Sequence, residues 1–159
     1  MPPRTGKSDP KTNGRFVLKI DNQPVAALAK CSALTISVEA KEFRSGDMDS
    51  FKHKLPGLVS FEAITLEQGV TDDKTFEQWA TAMANFVGNK GADSQKTPDD
   101  FRKDIDIEVY NLKREKVKAY RVYNCWVSKY TALPGLDAAS GDVLIQTLVL
   151  ENEGIQVLQ

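Results

Sequence analysis

Phe16, Leu18 and Ile20 alternate with Val17 and Lys19, the two-residue period of a strand with one buried face. Asp21-Asn22-Gln23-Pro24 follows and supplies turn chemistry. A second apolar run over residues 25–34 passes into Thr35-Ile36-Ser37-Val38-Glu39-Ala40, whose β-branched content favours extended chain. Over residues 41–57 polar and aromatic side chains mix around Gly46, Asp47, Asp49 and Ser50 and end in Pro56-Gly57, which predicts a long protruding hairpin or loop. Residues 61–67 resume as a strand that Gly69 closes. Thr71, Asp72 and Asp73 then offer a cap and first-turn acids for a helix. Its apolar positions Phe76, Trp79, Ala80, Met83 and Val87 recur at three- and four-residue spacing, and Gly88 fits its stop.

After a polar connector over residues 89–100, residues 104–110 alternate strictly, with Ile105, Ile107 and Val109 on one face and Asp104, Asp106 and Glu108 on the other. Residues 111–116 form a turn. Residues 117–127 predict a long strand with Tyr120, Val122 and Trp126 on one side and Tyr123, Cys125 and Val127 on the other. The last strand, residues 143–150, is apolar on both sides. A single helix cannot supply the crossovers of a parallel sheet, so the predicted fold class is mainly β: two packed antiparallel sheets, as a sandwich or small barrel, with one flanking α-helix. Residues 1–12, rich in proline and basic side chains, predict a flexible tail ahead of one domain over 13–159.

Composition narrows the function. The chain has 159 residues, 41% of them hydrophobic, and 21 basic side chains against 22 acidic ones, for a net charge of −1. That suits one soluble domain and argues against a dedicated nucleic-acid binder, which needs a basic excess. No apolar run approaches the roughly 18 residues of a membrane span, and the N-terminus lacks a signal-peptide core, so membrane insertion is not expected and a cytoplasmic setting is. Cys31 and Cys125 read as reduced thiols, with a disulfide between them as the alternative.

Catalytic inventory is thin. His53 is the only histidine, and between Lys52 and Lys54 it reads as a contact residue rather than a general base or metal ligand. Ser60 and Ser140 lack a nucleophile-elbow context, and no phosphate loop or dinucleotide fingerprint is present. Asp104, Asp106 and Glu108 stand in a row along a strand, whereas calcium loops wrap their ligands around a point. Trp79 fits a core position, and Trp126 with Tyr120 and Tyr123 fits core or interface. No catalytic residue, cofactor or metal is predicted. Strands apolar on both faces, together with the long protrusion, predict permanent self-association.

Phe16-Val17-Leu18-Lys19-Ile20-Asp21, Pro24-Val25, His53-Lys54-Leu55-Pro56-Gly57, Ile64-Thr65-Leu66-Glu67-Gln68-Gly69-Val70-Thr71 and Leu136-Asp137-Ala138-Ala139-Ser140, in this order, resemble the tail-tube protein family of contractile phages and contractile injection systems. The resemblance covers nearly the whole body of the chain. It implies an inner-tube subunit, similar in fold to the ring protein of type VI secretion, with no catalytic activity. Six copies would close into a ring, and stacked rings would make a hollow tube inside a contractile sheath. Expected partners are further copies of the chain, a sheath protein, baseplate or hub and terminal cap proteins, and effector proteins or phage DNA as lumen cargo. The particle would be assembled in the bacterial cytoplasm and then released or anchored.

Residue expectations follow from that reading. A hairpin begun near Glu39 and ended by residues 53–57 would carry subunit contacts through Phe43, Arg44, Asp47, Met48, Phe51, His53, Lys54 and Pro56. Asp72, Asp73 and Glu77 would face the sheath, with helix capping as the simpler alternative. Asp104, Asp106 and Glu108, or their counterparts on residues 117–127, would line the lumen. The alternatives are a specialised ring near the baseplate or tube terminus and, in a different class, a monomeric ligand-binding β-barrel or an enzyme working through His53.

Overall fold

The computed structural model describes residues 15–25, 28–44, 46, 52–70, 72–88, 101–139 and 141–158. Strand β1 (Arg15–Ile20) turns through Asp21 (φ 50°) and Asn22 (φ 66°) into β2 (Gln23–Pro24). Two consecutive left-handed residues make the tight hairpin turn whose twist matches its strands, and Asp and Asn tolerate that region best after glycine. Next come β3 (Leu28–Cys31), β4 (Ile36–Phe43), β5 (His53–Phe61) and β6 (Ile64–Gly69). Helix α1 (Thr75–Gly88) follows, and then β7 (Lys103–Tyr110), β8 (Lys116–Thr131), β9 (Ile145–Glu151) and β10 (Gly154–Val157).

All pairings are antiparallel, and the strands form a path β2-β1-β7-β8-β9-β6-β3 with β10 beside β8. Strand β8 belongs to two leaves. Its first part pairs with β7 and β10, and its last part pairs with β9. The switch falls at Asn124, whose φ of 52° inverts the alternation of β8, so that Val122 and Cys125, three residues apart, are both fully buried. The Asn124 N–H donates to Asp104 Oδ1 at 3.0 Å, its side-chain amide donates to Glu153 Oε2 at 2.9 Å, and the Glu153 N–H donates to the Tyr123 carbonyl at 3.1 Å. A strand bent in this way carries the chain from one sheet of a sandwich to the other. The sheets do not close into a barrel, so of the two architectures expected the sandwich is the one adopted.

Leu18, Ile20, Ile105, Ile107 and Val122 from one leaf meet Ile64, Leu66, Val127, Leu148 and Leu150 from the other, and Phe76, Trp79 and Ala80 of α1 join the same core. Trp79 Nε1 donates to the Phe101 carbonyl at 2.7 Å, satisfying the indole on burial. Of the expected helix stripe, Val87 stays outside the core at 70% exposure, at the rim of an open groove that Met83 and Ala84 also line against β8. Cys31 and Cys125 are both free thiols, and burial pushes them up to about 11 and about 12.

Three expected boundaries change. Phe61 ends β5 rather than opening the next strand, which starts at Ile64, and Pro56-Gly57 lies inside β5 instead of ending a hairpin. Strand β8 continues to Thr131. The last strand begins at Ile145, leaving Val143 and Leu144 exposed, and β10 follows it after a short break.

Candidate assembly surfaces

Strands β4 and β5 form a two-stranded sheet of their own. An isolated hairpin is marginal in water, so its stability must come from what covers it. Ile36, Val38, Leu55, Leu58 and Val59 are all more than half exposed, Leu58 by 74%. Val38 pairs with Val59 but Ala40 pairs with Pro56, which places a bulge at Gly57-Leu58. A Cβ on Gly57 would sit 3.1 Å from the Glu39 carbonyl oxygen and 3.1 Å from Lys41 Cε, so the close strand approach there suits glycine. Proline is tolerated beside it because both strands of this sheet are edges. The bulge inverts the alternation of β5. Ile36, Val38, Val59 and Phe61 share one face, while Phe43, His53 and Leu55 share the other, so the hairpin is apolar on both sides.

Among the expected contact residues, Phe43 and His53 are cross-strand partners whose rings stack at 5.4 Å between centroids. Arg44, Lys54 and Pro56 are exposed on the same hairpin, while Asp47, Met48 and Phe51 lie outside the described residues. The exposed Ile36, Val38, Leu55, Leu58 and Val59 escaped the sequence reading. For Leu55, Leu58 and Val59 the signal was the apolar stretch Leu55-Pro56-Gly57-Leu58-Val59, hidden because Pro-Gly usually marks a turn.

Asp73 caps α1: its Oδ1 accepts the Thr75 N–H at 3.0 Å and the Thr75 hydroxyl. Asp72 and Glu77 are exposed beside it. The acidic row of β7 is not bare. Asp106 is held by both Nε and Nη2 of Arg121 at 2.7 and 2.8 Å, and this bond lowers the Asp106 pKa and raises that of Arg121. Glu108 is 7% exposed and accepts the Tyr110 hydroxyl at 2.7 Å, Lys19 Nζ at 3.0 Å and Lys116 Nζ at 3.1 Å. The Tyr110 bond first, then the two lysines, hold its carboxyl down to about 2 against the opposing cost of burial. Asp104 accepts the Asn124 N–H at the strand bend. The cations escaped notice in sequence, although Lys19 and Arg121 fall opposite Asp106 once the strands are aligned.

An open polar cleft of about 460 Å³ lies beside this face, lined among others by Asp21, Lys103, Asp106 and Arg121. Its carboxylates are engaged: Asp21 accepts Lys103 Nζ at 2.8 Å, and Asp104 and Asp106 have the partners given above. Among the described residues no three His, Cys, Asp or Glu side chains converge as a metal site. No described helix is long and apolar enough to cross a membrane.

The family described as T4-like virus tail tube protein gp19 matches residues 12–156. A chain of the sheath/tube terminator of an extracellular contractile injection system, PVC, in its extended state is 25% identical, with a TM-score of 0.73, 97% of this chain covered and 100% of that one. A chain of the PVC sheath-tube complex in its extended state is also 25% identical, with a TM-score of 0.70 and coverages of 94% and 93%. Hcp1 from Flavobacterium johnsoniae, 15% identical over 90% of this chain and 94% of that one, shares the fold with a TM-score of 0.58. Comparison with curated proteins gave no match. The chain thus belongs to the T4-like tail tube protein family. It is a structural tube subunit, a component of a phage tail or phage tail-like particle.

Proposed function

We propose that six copies of the chain close into a ring and that the rings stack into a hollow tube within a contractile sheath, a conduit for effector proteins or phage DNA. The observation that carries this reading is the β4–β5 hairpin, a two-stranded sheet apolar on both faces, which needs neighbouring copies to cover it. Phe43, Arg44, His53, Lys54 and Pro56 on it, with Asp47, Met48 and Phe51, contact adjacent subunits. Asp72 and Glu77 meet a basic element of the sheath beside the Asp73 cap, and the Asp104, Asp106 and Glu108 row lines the lumen, its charges offset by Lys19, Lys116 and Arg121. Baseplate or hub and cap proteins meet the tube ends. The particle is assembled in the bacterial cytoplasm, and the subunit works without catalysis, through shape and continuous sheet bonding. A second reading, a specialised ring at the tube terminus, draws support from the likeness to a chain of a sheath/tube terminator.

Negative-stain imaging and size-exclusion chromatography of the purified full chain test the assembly. Rings or tubes are expected, and Leu58→Asp is expected to yield folded monomers. A wild-type chain that stays monomeric at every concentration, or tubes of normal length from the variant, would refute the reading. Mixing Asp72→Lys/Glu77→Lys tubes with sheath protein tests the outer wall, and sheath assembly at low and moderate salt on that variant would remove those residues from the contact.

A further inference from the structure

The buried face of the second leaf is built in cross-strand rungs. Ile64, Leu150 and Val127 make one rung, and Leu66, Leu148 and Tyr130 make the next. The third rung departs from apolar chemistry, because Gln68 on β6 stands opposite Gln146 on β9, at 0% and 6% exposure. Gln146 Nε2 donates to Gln68 Oε1 at 2.9 Å, and Gln146 Oε1 accepts the Tyr130 hydroxyl at 2.8 Å. Gln68 Nε2 donates to Asp73 Oδ2 at 3.4 Å, and the other oxygen of Asp73 accepts the N–H of Thr75, the first residue of α1.

The donor directions along this series are forced. The ionised Asp73 carboxylate only accepts, so Gln68 must present its NH₂ there and its carbonyl to Gln146. Gln146 must then present its own NH₂ to Gln68, which leaves its carbonyl for the Tyr130 hydroxyl. The carboxylate of Asp73 at the helix start therefore sets the orientation of two buried amides and a phenol on three strands.

We propose that Tyr130, Gln146, Gln68 and Asp73 act as a buried register lock, tying the alignment of β6 on β9 to the point at which α1 begins. A slip of two residues would set Gln68 against Leu148 and leave buried amides without partners, whereas a leucine pair would be satisfied in either register. Buried polar pairs of this kind confer specificity more than stability. The lock also fixes where Met83, Ala84 and Val87 of α1 lie along Trp126 and Lys129 of β8, residues that line a common groove.

Hydrogen exchange and thermal unfolding of the full-length chain, as wild type, Gln68→Leu, Gln146→Leu and the double variant, test this. Each single variant sets a leucine against the remaining amide and removes the bond between the two, and is expected to lower the melting temperature more than the double variant does. In the double variant the first turn of α1 is expected to exchange at least about tenfold faster than in wild type, the equivalent of roughly one buried hydrogen bond. Wild-type exchange there, or single variants that cost no more than the double, would overturn the proposal. Should the leucine variants fail to fold, Tyr130→Phe removes one hydroxyl and no core volume. It is expected to speed exchange in the same turn, and unchanged exchange would equally overturn the lock.

Discussion

Glu108→Gln removes a charge that three donors hold on the sheet. The Glu108 carboxyl moves from the ordinary 4.5 to about 2. At about 1.4 kcal/mol for each tenfold change in proton affinity, that fall corresponds to about 3 kcal/mol of folding stability. Lys19 and Lys116 are 30% and 39% exposed, so water screens part of the interaction, and about 2 kcal/mol is the working figure. Because the folded pKa is depressed, this stability is present above the unfolded pKa near 4.5 and is lost as the pH falls toward about 2. The variant should therefore melt about 4–8 °C below the parent at pH 7. Roughly half or more of that gap should be gone by pH 3, where an unfolded Glu108 is protonated. Thermal unfolding by circular dichroism in the unassembled Leu58→Asp background measures it. A gap that stays constant between pH 7 and pH 3, or no gap at pH 7, would refute the reasoning.

Asn124→Ala should cost about 1 kcal/mol more than Asn124→Gly, because both lose the bond to Glu153 but only alanine is strained at a φ of 52°; equal denaturation midpoints would remove the backbone role given to Asn124. Asp73→Ala should cost about 0.5–2 kcal/mol through loss of the cap, while Glu77→Ala stays within about 0.5 kcal/mol. Chemical denaturation that ranks them the other way would sink the capping assignment. His53→Gln should lose about 1 kcal/mol or less from the stack on Phe43 and still form tubes by electron microscopy. A metal bound at His53, or a hydrolytic activity that disappears with the substitution, would contradict a purely structural role.

The sequence by itself determined the local elements and the class. The period-two runs of β1, β7 and β9, the Asp21-Asn22 turn and the capped stripe of α1 depend on side chains a few residues apart, and neighbouring residues are what a linear pattern records. The ordered motifs likewise pointed to the tail-tube family that the match over residues 12–156 establishes. Tertiary structure decided what depends on partners distant in sequence. Alternation through β8 looked uniform because Asn124 tolerates a left-handed backbone without requiring it, and Asp104 and Glu153, 20 and 29 residues away, hold the bend there. Pro56-Gly57 looked like a turn because only the approach of Glu39 and Lys41 across the hairpin makes it a bulge. The acidic row of β7 gave no sign of which cations hold it because they arrive on β1 and β8, and nothing beside Gln68 marks it for burial. Ion pairing and burial are properties of the strand register, and the register is chosen by the whole core at once, so no local stretch of sequence carries it.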